Sequence, residues 1–74
     1  MKLPGATGEK IIKALHKAGF DNVHIRGSHH YLYNPKKDRI ITVPVHSGKT
    51  IAPKTLKSIL EQADISVDDF IRLL

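Results

Sequence analysis

Apolar residues return along this chain first at helical spacing, then at alternate positions, then at helical spacing again. Ile11, Ile12, Leu15 and Ala18 share one stripe of a helix predicted over about residues 8–18. Thr7 stands ahead of it as an N-cap, and Glu9 lies in the first turn, where negative charge suits the helix dipole. Gly19 reads as a left-handed C-terminal cap, with Phe20 expected to fold back onto the stripe. Residues 22–26 then alternate with period two and predict a short strand, Val23 and Ile25 inward. Gly27-Ser28 interrupts it, and residues 30–33 are rich in strand formers. Asn34-Pro35-Lys36-Lys37-Asp38 has turn chemistry, and residues 39–45 predict a third strand. Pro44 lacks a backbone donor and belongs at a strand end or edge.

Helical spacing resumes after the Ser47-Gly48-Lys49 loop. Pro53 suits the first position of a helix whose apolar face is Leu56, Ile59, Leu60 and Ala63, with Lys54 and Lys57 outward. Ser66 and Asp69 have capping-box spacing and open a short last helix, with Phe70, Leu73 and Leu74 on its apolar side. The order α-β-β-β-α plus a terminal helical turn predicts a two-layer α+β domain: helices on one face of a three-stranded antiparallel sheet, the other face partly free. It is the element order of a double-stranded-RNA-binding domain. The 74 residues are expected to form one domain, close to the lower limit for a self-sufficient core.

Composition narrows the class. With no cysteine, neither a disulfide nor a thiolate metal site can reinforce the core. No apolar run approaches the roughly 18 residues of a membrane span, and Met1-Lys2-Leu3-Pro4-Gly5 lacks the apolar region of a secretory signal. A cytoplasmic protein with no membrane partner is expected. The net charge of +5 is unevenly spread: eleven Lys/Arg against three acids give +8 over residues 1–60, and Arg72 against four acids gives −3 over residues 61–74. A basic body suits a polyanion, while the acidic end is expected to face elsewhere.

The candidate chemistry centres on Gly27-Ser28-His29-His30. Histidine is the side chain whose ordinary pKa lies nearest neutrality, so it exchanges protons without special tuning. Side chains alternate along a strand, placing His29 with Tyr31 and Tyr33 on one face and Ser28, His30 and Leu32 on the other. Leu32 is the natural core contact, so His29 points away from the core; a bulge at Gly27-Ser28 would exchange it with His30. A solvated strand histidine is the plain alternative, and Tyr31 and Tyr33 read as amphipathic sheet filling, which such tyrosines usually are, and only occasionally as base-stacking platforms. His46 ends the third strand near the start of the second and is a candidate second imidazole, with Ser28 a further supporting group. No metal is expected: the five histidines include no H-x-x-x-H helix pair and lie near no carboxylate cluster. Gly48-Lys49-Thr50 lacks the upstream glycine of a phosphate loop, and no nucleophilic triad is visible. RNA cleavage needs no enzyme nucleophile, because the substrate supplies its 2′-OH and a histidine need only move the proton. Arg26, Lys36, Lys37, Arg39, Lys49, Lys54 and Lys57 are the cations available to hold the RNA backbone. A non-catalytic double-stranded-RNA-binding module and a protein-interaction domain are the alternatives, and neither needs a special histidine.

Four pieces of the chain carry a resemblance. They are Gly19-Phe20, Gly27-Ser28-His29-His30, Val43-Pro44-Val45-His46, and Thr55-Leu56-Lys57-Ser58-Ile59-Leu60 followed by Gln62-Ala63. In order and spacing they resemble the HicA toxin family, small mRNA interferases of type II toxin–antitoxin systems. The resemblance implies a double-stranded-RNA-binding-domain-like fold, ribosome-independent cleavage of mRNA, and neutralisation by a HicB-type antitoxin; no cofactor is expected. It assigns catalysis to the histidine directly after Gly-Ser, here His29. Pro53 and Asp64 stand where relatives often carry glycine; proline suits a helix start, and aspartate tolerates a left-handed cap. The antitoxin is expected to cover His29 and the positive patch.

Overall fold

The computed structural model describes residues 3–74; Met1 and Lys2, the first residues of the stretch read above for a signal, lie outside them. In chain order the described residues form α1 (Gly8–Lys17), β1 (Asp21–Arg26), β2 (His29–Asn34), β3 (Arg39–Pro44), α2 (Pro53–Ala63) and α3 (Val67–Leu73). The strands make one antiparallel sheet in the order β1-β2-β3. α1 and α2 pack over β3, and α3 packs on α1. This is the α+β, double-stranded-RNA-binding-domain-like arrangement that the element order predicts, with α3 appended.

The helices begin and end where their capping residues dictate. The Thr7 hydroxyl accepts from the Lys10 N–H at 3.3 Å, and Gly19 adopts φ +96° just after the helix, a region favouring glycine. The Phe20 N–H then reaches back to the Leu15 carbonyl at 3.0 Å, which turns its ring into the core. α2 starts at Pro53 and ends at Asp64, held left-handed at φ 57°. Ser66 accepts from the Asp69 N–H at 3.1 Å, but the Asp69 carboxylate turns to Arg72 at 3.4 Å, so only half of the capping box forms. The core draws on every element except β1: Ile11 and Leu15, Leu32, Ile41 and Val43, Leu56 and Leu60, and Phe70 are all buried.

Close approach at one point depends on a missing side chain. A Cβ on Gly8 would lie 2.7 Å from the Pro44 carbonyl oxygen and 3.0 Å from Val45 Cγ2. Glycine at the first turn of α1 therefore lets the helix seat directly on the end of β3.

Two expectations fail. Val23 and Ile25 do not point into the core; each is 56% exposed. Between Asn22 and His24 the β1–β2 register shifts, leaving Val23 unpaired, and β1 is the edge strand away from β3, on which the helices pack. Alternation is the same in a covered strand and an uncovered edge strand, so the pattern alone could not separate them. Leu74 likewise remains about half exposed; Phe70 and Leu73 make the α3 contacts without it.

Candidate nucleic-acid site on the open face of the sheet

The turn between β1 and β2 sets everything that follows. Gly27 takes φ +59° at the first central position of the two-residue turn from Arg26 to His29, the position where a type II′ hairpin demands glycine. Arg26 is thereby paired with His29, and His29 with Pro44 on the other side. The bulge that would have exchanged the two histidines occurs upstream, inside β1, and β2 pairs with β3 without a slip. His29 is exposed and falls by register with Tyr31 and Tyr33 on the face without helices, whereas His30 is half-buried beside Leu32 and opposite Val43.

The open face has three ranks. Arg26, His29 and Pro44 form the first; His24, Tyr31 and Thr42 the second; Asp21, Tyr33 and Ile40 the third. In the second rank the His24 and Tyr31 rings are in contact, with centroids 5.6 Å apart and planes tilted by 40°. In the third the Tyr33 hydroxyl donates to Asp38 at 2.7 Å. That hydrogen bond, followed by partial loss of water and the carboxylate's charge, raises the Tyr33 pKa above the usual phenol value. Among the described residues, neither His29 nor Arg26 has a side-chain hydrogen-bond partner in the protein, so both are free to meet a ligand.

The segment after β3 returns to the same end of the sheet. The Val45 N–H donates to the Ser28 carbonyl at 2.7 Å, so His46 follows a residue tied to the hairpin turn. A turn with Gly48 at φ +72° closes from the Lys49 N–H to the His46 carbonyl at 2.9 Å. Ser28, His29, His46 and Lys49 thus gather at one end, although no hydrogen bond joins His46 to His29 among the described residues.

The cations divide into two groups. Lys54 and Lys57 are exposed on the first turns of α2, which starts at the His29 end of the sheet. Lys37 donates to the carbonyls of Ala63 and Asp64 at 3.2 and 3.0 Å, and Arg39 to that of Gln62 at 3.2 Å. Those two complement the negative C-terminal end of α2 at the far end of the sheet. Lys36 is exposed in the β2–β3 turn, also at the far end. The acidic α3 lies in the helical layer, away from the open face.

Sequence reasoning missed a polar chain on the helix side. His16 Nε2 donates to Asn22 Oδ1 at 2.9 Å, and the Asn22 amide donates to His30 Nδ1 at 3.4 Å. It links α1, β1 and β2, and no spacing within any one element could have signalled it. Also unforeseen is a groove of about 290 Å³ between α1 and α3, lined by Lys10, Lys13 and Lys17 with Leu73 and Leu74. Among the described residues, no group of three or more His, Asp or Glu side chains is placed to hold a metal ion, and no helix is long and apolar enough to cross a membrane.

An exposed imidazole beside a guanidinium can move a proton and offset developing negative charge on a phosphate. The family model described as the HicA toxin of bacterial toxin–antitoxin systems matches residues 8–65, which span α1 through the end of α2. A search of curated proteins finds no match.

Proposed function

The chain belongs to the HicA toxin family, and from that premise we propose that it is a metal-independent endoribonuclease that cleaves mRNA with His29 as general acid or base. Membership makes it the toxin of a toxin–antitoxin pair, with an antitoxin as its partner. The observation carrying the catalytic reading is the exposed His29 on the open face, directly opposite Arg26. In this reading the 2′-OH of the substrate attacks the adjacent phosphorus while an imidazole accepts its proton. The P–O5′ bond breaks, the leaving 5′ oxygen takes up a proton, and the products carry a 2′,3′-cyclic phosphate and a 5′-OH. Arg26 offsets charge on the phosphorane-like transition state. Ser28 and His46 support the histidine from the turn and the loop. Lys49 holds the backbone near the reacting phosphate, Lys54 and Lys57 take it up where it passes around that end onto the helical layer, and Lys36 stands at the far end, where Lys37 and Arg39 are engaged with the α2 carbonyls. The chain works as one domain in the cytoplasm, and a HicB-type antitoxin silences it by covering His29 and the cations around it.

Removing a general acid or base slows such reactions by about 10²- to 10⁴-fold. The test is cleavage of RNA in EDTA by the purified protein and by a His29→Ala variant. The expected result is a loss in that range, with cyclic phosphate ends on the wild-type products. Equal cleavage by both proteins would take His29 out of the mechanism, and 5′-phosphate products would rule out attack by the 2′-OH.

A further inference from the structure

We infer that Tyr31, backed by His24, is a base-stacking platform beside the reacting phosphate, and that the site therefore takes single-stranded rather than duplex RNA. The inference rests on the reading of the open face as the RNA-cleaving surface and adds its substrate class. Tyr31 is two residues from His29 on the same strand and face, hence about 6.7 Å along it. A base that lays its face on the Tyr31 ring has given up a stacking neighbour, which a single strand allows and a duplex resists.

The surroundings of the ring fit this use. Its contact with His24, at 5.6 Å, steadies Tyr31 on one flank, and the small Thr42 occupies the other. Unlike Tyr33, whose hydroxyl is bound by Asp38, Tyr31 has no side-chain hydrogen bond among the described residues. Charge orients the strand. Arg26 lies on the His29 side of the platform; on the other, Asp21 and Asp38 flank Tyr33, and Lys37 and Arg39 turn to the α2 carbonyls, leaving the exposed Lys36 in the turn beyond. A protein segment is less well suited to this face: of the exposed large hydrophobic side chains, only Ile40 belongs to its ranks by register.

Binding is measured by fluorescence anisotropy in the full chain carrying His29→Ala, so that no cleavage intervenes. The probes are a labelled mixed-sequence single-stranded RNA, its duplex with the complement, and a strand of abasic ribonucleotides. Adding Tyr31→Phe is expected to leave single-strand affinity unchanged. Adding Tyr31→Leu is expected to weaken it about 5- to 150-fold, the range of one lost base–aromatic stack. On the abasic strand the Leu penalty disappears. An equal Leu penalty on the abasic strand would make Tyr31 merely structural and overturn the inference. So would tighter binding of the duplex, or a Tyr31→Leu change that weakens antitoxin binding while leaving RNA affinity intact. Failure of the wild-type cleavage assay would instead strike the nuclease reading, because this binding test requires no catalysis.

Discussion

The seat of α1 on the end of β3 makes a sharp prediction for Gly8→Ala. A methyl at this position would be built 2.7 Å from the Pro44 carbonyl oxygen and 3.0 Å from Val45 Cγ2. The first neighbour is backbone and cannot rotate away. Either α1 lifts or β3 bends. Overpacking of this kind costs about 1–3 kcal/mol. Alanine returns up to about 1 kcal/mol through higher helix propensity, though less at a first turn than in mid-helix. The net is a destabilisation of about 1–2 kcal/mol, or about 4–16 °C in Tm for a domain of this size. Thermal unfolding followed by circular dichroism reads it directly. Gly5→Ala is the control, since a Cβ there meets nothing within 4 Å. Surface changes of that sort stay within about 0.5 kcal/mol. A Gly8→Ala protein melting at or above the wild-type temperature would refute the close-approach argument.

Two other changes test the frame around the site. Asn34 is buried; its amide donates to the Ala18 carbonyl at 3.2 Å, and its carbonyl accepts from the N–H groups of Lys36 and Lys37 at 2.9 and 3.1 Å. Asn34→Ala should cost about 2–3 kcal/mol, seen as a lower urea midpoint at unchanged m; a change below about 0.5 kcal/mol would mean water replaces these bonds freely. Tyr33 has its pKa raised in the folded state by donating to Asp38, so its stabilising contribution is present below the ordinary phenol pKa of about 10 and fades as pH rises through the higher folded value. The stability difference between wild type and Tyr33→Phe should therefore be flat at neutral pH and shrink in strong alkali, and a difference that grows there would contradict the bond.

Much of this arrangement was legible because local chemistry and global packing agree. Thr7, Gly19, Pro53 and Ser66 each act at the helix end their chemistry favours; the buried stripe of α2 is the one the spacing marks, and that of α1 differs only in that Ala14 is buried and Ala18, past the helix, is half-buried. His29 was legible too, because parity along one strand is local information once Leu32 is known to be core. Coverage was not legible. Whether β1 lies under a helix depends on how α1 and α2 cross the sheet, a relation among distant segments, so Val23 and Ile25 were misplaced. The same limit hid the engagement of Lys37 and Arg39 with the end of α2, since a lysine in a turn looks solvated until its distant partner is in place. The His16–Asn22–His30 chain joins three elements and escaped for that reason.

Adjacent histidines on opposite faces make the site depend on register more than on any side chain near it. A slip of one residue in β2 would bury His29 against the helices and send His30 outward. Residues with no part in the proposed chemistry oppose that slip. Gly27 fixes the β1–β2 turn with its positive φ, and Asn34 with Asp38 (φ 52°) fixes the turn at the other end of β2. Gly8 admits α1 against Pro44, the residue opposite His29. The irregularity that the sheet does contain is confined to β1, where it moves Val23 out of pairing and leaves β2 in step with β3. Strand register therefore selects which imidazole meets the ligand, and it does so before any charge or hydrogen bond at the site is considered.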